Sequence, residues 1–188
     1  MSVQPQKFLF VVGSSRPGGN TEALARRAAE HLPAGAEQRW LRLAELDVPR
    51  FSDIRHSGDG TYPGPDGVLG TLLSATLDAT DLVIASPLYW YTVSTDVKNY
   101  LDHWTGWMRV PGADFKARMA GKRMWGVTAL SDEDPAFAEP LAGALRLSAE
   151  YLHMDWRGVL LGYGSRPGDV ERDADAQRNA KTFFAASA

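Results

Sequence analysis

Short unbroken apolar runs alternate along this chain with longer segments in which apolar residues recur every three or four positions. The first run, Lys7-Phe-Leu-Phe-Val-Val12, is continuous and rich in aromatic and β-branched residues. Residues 8–12 therefore predict a strand buried on both faces. Residues 20–32 predict a helix, with Leu24, Ala28, Ala29 and Leu32 on one face and Arg26, Arg27 and Glu30 turned to water. Pro33-Ala34-Gly35 stops it. A strand with weaker alternation follows over 39–43. Residues 68–77 resume helical spacing, and 81–87 form the clearest strand, opening on Asp81 and closing on Pro87. Ser94 or Thr95 caps a helix through about Trp104. The rest predicts a strand over 122–130, a helix over 137–152, a strand over 155–162 and a closing helix over 170–186.

Strand and helix alternate five times. Parallel neighbours need a crossover, so this pattern predicts a parallel sheet covered by helices on both faces, in one domain spanning 1–188. The long segment 44–67, rich in Asp, Pro, Gly and Ser, interrupts the rhythm and predicts a functional or mobile loop.

Between the first strand and first helix lies Gly13-Ser14-Ser15-Arg16-Pro17-Gly18-Gly19-Asn20-Thr21. A loop of this kind turns backbone N–H groups inward, and the helix behind it adds the positive end of its dipole. Ser14, Ser15, Asn20 and Thr21 add donors, and Arg16 adds a permanently charged fork suited to phosphate oxygens. The same residues could form an ordinary turn with Asn20 or Thr21 as N-cap; the crowding of donors around an arginine favours phosphate. With that loop after the first of five strands, a doubly wound sheet of order 2-1-3-4-5 is expected. Its ligand would sit beyond the carboxyl ends of strands one and three. Gly164-Ser165-Arg166-Pro167-Gly168 echoes the loop. It reads as a second strand-ending turn in preference to a second anion site.

The third strand ends in Ser86-Pro87-Leu88-Tyr89-Trp90-Tyr91-Thr92-Val93-Ser94. Three consecutive aromatics at a strand end offer a flat surface for a conjugated ring, or pack against a neighbouring loop or a second subunit. Beside a phosphate loop, a ligand with one phosphate and one aromatic ring accounts for both clusters.

Composition narrows the chemistry. The chain has no cysteine, which removes disulfides, thiolate nucleophiles, Cys-ligated zinc and iron–sulfur clusters. Redox chemistry must then come from a bound cofactor. A formal net charge of −3 without a basic stripe argues against nucleic acid, and mixed charges argue against membrane binding. No signal-like pattern opens the chain, so a cytoplasmic protein without membrane insertion is expected. Four histidines are scattered without metal-ligand spacing; only His56, on the long loop, could approach the site.

The loop Gly-Ser-Ser-Arg-Pro-Gly-Gly-Asn-Thr and the segment from Ser86 to Trp104 (Ser-Pro-Leu-Tyr-Trp-Tyr-Thr-Val-Ser-Thr-Asp-Val-Lys-Asn-Tyr-Leu-Asp-His-Trp) resemble the flavodoxin-like NAD(P)H-dependent FMN reductases and quinone reductases. The resemblance covers residues 7–104 and continues as element order to the C-terminus. It implies an FMN cofactor whose phosphate is held by Ser14, Arg16, Gly19, Asn20 and Thr21. Pro87, Leu88, Tyr89 and Trp90 would lie along the isoalloxazine, with no catalytic side chain. NADPH or NADH would donate hydride, and a small-molecule acceptor would take it. Relatives often pair, so a homodimer or higher homo-oligomer is expected, with Trp104 and Trp107 as candidate contacts. Lys98 and Asp102 match a family pair, but a helix ion pair explains their spacing. One departure stands out. Where the family often has a Gly-rich turn after strand four, this chain has Thr128-Ala-Leu-Ser-Asp-Glu-Asp-Pro135, whose acidic part would disfavour a reduced flavin nearby or point away. A flavodoxin-type electron carrier and a flavin-free phosphate-ligand module are the competing functions. The mild net charge disfavours the carrier.

Overall fold

The computed structural model describes residues 5–187, with side chains through Ala185; residues 1–4 and 188, the ends of the expected domain, lie outside the described residues. Five strands, β1 (Lys7–Val12), β2 (Glu37–Arg42), β3 (Asp81–Ala85), β4 (Arg123–Leu130) and β5 (Asp155–Tyr163), form one sheet of order β2-β1-β3-β4-β5. Every neighbouring pair is parallel. The expected order and class are therefore those found.

Because side chains alternate across a strand, each strand feeds two cores. Phe8, Phe10 and Val12 join Val83, Ala85, Trp125 and Val127 under α1 (Asn20–Ala29) and α6 (Ala174–Ala180). Leu9, Val11, Leu82, Ile84 and Met124 face the opposite layer, made of α2 (Gly67–Asp78), α3 (Thr95–Trp107), α4 (Phe115–Met119) and α5 (Glu139–Tyr151). The apolar runs of β1 and β3 are unbroken because both faces are covered. At the edge, Trp40 of β2 stacks on Phe10 with centroids 4.0 Å apart, and the Arg26 guanidinium lies over Trp40.

At the amino ends of the strands, Asp81 is fully buried. It receives Arg123 through Nε and Nη2, both at 2.7 Å, together with Trp125 Nε1 and Thr80 Oγ1. This network lies at the opposite end of the sheet from the strand-terminal loops.

One expectation is corrected. The closing helix over 170–186 is broken into a 3-10 turn (Asp169–Arg172), α6 and a second 3-10 turn (Phe183–Ser187). The break falls at Asp173, whose carboxylate caps α6 through Asp175 N and Ala176 N and also accepts from Tyr163 N. Such local side-chain bonding competes with helix continuation. The short helix α4 had no sequence signal. Segment 44–67 begins as a 3-10 turn (Leu43–Glu45) and otherwise lacks regular structure until α2, yet it is anchored. Asn99 Oδ1 accepts from Phe51 N, while Asn99 Nδ2 and His103 Nε2 both meet the Pro49 carbonyl. Tyr62 OH accepts from Ile54 N, and the Tyr62 ring lies where a Cβ on Gly106 would come within 2.8 Å of it.

Candidate functional site

Beyond the carboxyl ends of β1, β3 and β4 lies a cleft of about 300 Å³, at the lower end of the range for small-molecule sites. Ser14, Arg16, Gly19, Asn20 and Thr21 line one side and Pro87, Leu88 and Tyr89 another. Eight of the nine expected site residues thus converge. The ninth, Trp90, does not line the cleft and is 91% exposed.

The 13–21 loop is built by close approaches. Gly13 N donates to Ala85 O, tying the loop to β3, and a Cβ on Gly13 would come within 2.6 Å of Ser94 Oγ. Ser14 is buried and donates through Oγ to Arg16 O. A Cβ on Gly19 would sit 3.0 Å from Ser14 Oγ, so glycine leaves room in the cradle. Gly19 is also the N-cap of α1 and no side chain caps that helix. Its first-turn N–H groups, on Asn20 and Thr21, and those of Ser15 and Arg16 meet no acceptor among the described residues. The Arg16 guanidinium likewise has no protein partner there. Unfilled donors, a positive helix end and a free guanidinium are the chemistry of a phosphate site.

Asn20 and Thr21 hold the walls. Asn20 Nδ2 donates to Arg166 O, and Thr21 Oγ1 accepts from Ala129 N, so these side chains join the loop to the ends of β5 and β4. Their contribution toward the cleft is through the backbone. Behind the loop, Glu22 is buried and bonds Arg26, Arg42 and Gly18 N, while Arg42 also reaches Arg16 O. Burial pushes the Glu22 carboxyl up, but the Arg42 and Arg26 hydrogen bonds outweigh it and hold it below the ordinary glutamate range.

The aromatic segment after β3 folds into a tight reversal. Tyr89 N donates to Thr92 O and Thr92 N to Tyr89 O, with Trp90 and Tyr91 between them at φ +49° and +65°. Two left-handed central residues make a type I′ turn, a place normally held by Asn-Gly. Bulky aromatics there store strain, which persists mainly at functional sites. Tyr91 and Phe137, both substantially exposed, form a tilted ring pair beside Trp90.

The cleft also uses Ala129, Leu130 and Ser131 from the β4 end, and Gly164 and Ser165 from the β5 end, none of them among the expected site residues. The echo of the phosphate motif at Gly164 was the signal for the latter pair. The acidic residues after β4 stay out of the cleft lining. Asp132 and Asp134 are exposed and accept from Asp134 N and Ala136 N. His56 is exposed, and its loop docks on α3. Trp104 and Trp107 are buried in the core beneath α3, and Lys98 pairs with Asp102 at 2.5 Å. Among the described residues no group of three or more His, Asp or Glu could hold a metal ion.

The sequence profile of the NADPH-dependent FMN reductases matches residues 6–137, a span that includes the 13–21 loop and the aromatic turn. The chain belongs to this family. Its members use FMN as cofactor and NAD(P)H as electron donor, so the chain is an NAD(P)H-dependent flavin oxidoreductase by descent. It is 29% identical over 171 residues to YwqN of Bacillus subtilis (strain 168), provisionally named an NAD(P)H-dependent FMN-containing oxidoreductase. That match covers 90% of this chain and 92% of the relative. The Trp repressor binding protein of Bacillus subtilis has a similar structure, with a TM-score of 0.72, 25% identity, and coverage of 94% of this chain and 97% of that one. An FMN-dependent NADH-azoreductase of Bacillus anthracis, solved with FMN, shares the fold at TM-score 0.65 and 14% identity, with coverage of 97% and 99%.

The family's cofactor is testable against this cleft. A single phosphate matches the unfilled N–H groups and Arg16, and a Cβ on Gly19 would crowd Ser14 Oγ in the cradle. The residues present fit FMN.

Proposed function

We propose that this protein passes reducing equivalents from NAD(P)H through FMN to a small acceptor such as a quinone, a free flavin or an azo compound. The observation that carries this reading is the meeting, in one cleft, of the uncapped α1 N-terminus and Arg16 with Pro87, Leu88 and Tyr89. Bound FMN supplies hydride acceptance from the nicotinamide and delivery to the acceptor.

The chain's own residues bind and orient. Arg16, Ser14 and the backbone N–H groups around Gly19, Asn20 and Thr21 hold the phosphate, with charge-assisted bonds to its oxygens. Asn20 and Thr21 position that loop by tying it to Arg166 and Ala129. Pro87, Leu88 and Tyr89 provide the surface along which the ring lies. Freed backbone N–H groups near the ring's polar edge would favour its reduced, more negative form. The acidic residues after β4, held in their own turn bonds, leave that edge unopposed.

Trp90 has no packing partner equal to its size, and Tyr91 and Phe137 extend the exposed aromatic surface beside the cleft. We assign this surface to a second copy of the chain in a homodimer, with Trp90 reaching the partner's bound ring. The continuous five-stranded sheet supports one domain for the whole chain. Dependence on NAD(P)H supports a cytoplasmic location, and no helix among the described residues is long and apolar enough to cross a membrane.

The test is to purify the protein, load it with FMN, and follow NAD(P)H consumption with quinone, azo dye and free flavin in turn. A yellow protein with acceptor-dependent turnover is expected. A chain that cannot retain FMN, or retains it without oxidising NAD(P)H, defeats the proposal.

A further inference from the structure

The turn that ends β5 repeats the one that ends β1, and only the latter has been given a role in holding phosphate. Ser165-Arg166-Pro167-Gly168 matches Ser15-Arg16-Pro17-Gly18 residue for residue. Gly18 and Gly168 share the same motif position and the same left-handed backbone, φ +65° and +83°. Both turns reach one cleft, since Gly164 and Ser165 line it together with Ser14, Arg16 and Gly19. Asn20 stitches them together through Arg166 O and, at 3.5 Å, Val170 N.

They differ at the next residue. Gly19 follows Gly18, whereas Asp169 follows Gly168. Asp169 Oδ2 accepts from Arg166 N at 2.7 Å and Ser165 N at 3.1 Å, and its Oδ1 receives Arg172 at 2.5 Å. The matching N–H groups of the first turn, on Ser15 and Arg16, meet no acceptor among the described residues.

We propose that Asp169 is an internal anion seated in a second phosphate-type nest, and that it restricts the cleft to ligands carrying one phosphate. This rests on the reading of the 13–21 loop as the phosphate site. Convergent N–H groups beside a guanidinium form an anion nest wherever no side chain fills them. Two open nests in one cleft would accept a pyrophosphate-bridged ligand, such as a flavin dinucleotide. Asp169 closes one nest and opposes a second phosphate by like charge, which is discrimination by repulsion. The hydrogen bond from Arg166 N is the largest influence on this carboxyl; burial, the next largest, opposes it, and with Arg172 and Ser165 N added the carboxyl is held below its ordinary range, so it is present as the anion. Specificity for a mononucleotide then has a named residue on the β5 wall, away from the loop that binds it.

The experiment exchanges the residues that differ. Calorimetric titration of the flavin-free, full-length chain with inorganic phosphate counts anion sites, and flavin fluorescence gives FMN and FAD dissociation constants. The wild type is expected to bind one phosphate and Asp169→Gly two, with the FAD-to-FMN ratio of dissociation constants falling about tenfold. Asp169→Asn keeps an acceptor for Arg166 N while losing the charge. It is the variant to read if the glycine form does not fold, and a ratio lowered about threefold supports the proposal. A folded Asp169→Gly chain with one phosphate and an unchanged ratio overturns it, as does an unchanged ratio in Asp169→Asn. Gly19→Asp tests the underlying reading separately. It should close the first nest and abolish FMN retention, and wild-type FMN binding in that variant would remove the phosphate loop itself.

Discussion

At the residue scale the site is a matter of donors left without acceptors. Arg16 carries the charge that a phosphate needs, and no carboxylate among the described residues neutralises it. Arg16→Ala should weaken FMN binding about 10- to 100-fold, the range for a hydrogen bond to a charged group, with the melting temperature almost unchanged; fluorescence titration and thermal melts check both halves. Glu22 works from behind the loop. Its folded-state pKa lies below the unfolded value, so its contribution to stability is complete above the ordinary glutamate range and is lost as pH falls through the depressed value. Glu22→Gln should flatten the acid limb of a stability-versus-pH curve, measured by urea midpoints at a series of pH values. Trp90 and Tyr91 are the opposite kind of residue, held in left-handed backbone that costs about 1–2 kcal/mol each. Replacing the pair by Asn-Gly should raise stability by about 1–2 kcal/mol and lower kcat/KM for the acceptor, if the strain is kept for the site. Higher activity together with higher stability would contradict that account.

At the element scale, α3 does two jobs. Ser94 caps it beside the Gly13 approach, so its start is locked to the 13–21 loop. Its other face carries Asn99, His103 and Gly106, which moor the long 44–67 loop. Gly106 sits inside a helix, where alanine would ordinarily add about 0.5–1 kcal/mol. Here a Cβ would collide with the Tyr62 ring, and the loop would have to lift. Gly106→Ala should therefore lower the melting temperature and speed proteolysis within 46–66, which limited digestion and mass spectrometry would reveal. The sequence marked that loop as unusual by its length and its Pro and Gly content. Its moorings were illegible, because each pairs residues about fifty positions apart through a side chain meeting a backbone group.

At the scale of the whole molecule, a buried ion pair and the cleft occupy opposite ends of one sheet. The buried Asp81–Arg123 pair closes the amino ends of the strands, and the cleft opens at their carboxyl ends. Asp81→Asn removes the buried carboxylate that Arg123, Trp125 and Thr80 share and should cost about 3–5 kcal/mol. FMN affinity of the folded fraction should hardly change. Denaturant midpoints read beside FMN titrations would reveal the separation, and a large affinity loss would refute it.

Local pattern determined most of this architecture. Unbroken apolar runs, helical spacing and Gly/Ser-rich strand ends are short-range features, and five alternations with a phosphate loop after the first strand admit few topologies. The order β2-β1-β3-β4-β5 and the meeting of residues 14–21 with 87–89 followed from them. Tertiary structure alone decided what lies across from that loop. Ala129, Ser131 and Ser165 reach the cleft because parallel strands end side by side, however distant in sequence. It also decided that Trp90 faces outward, that Trp104 and Trp107 are core, and that the 128–135 acids bond to their own turn. In each case the residue type was compatible with two environments, and burial, which depends on the packing of the whole chain, selected one.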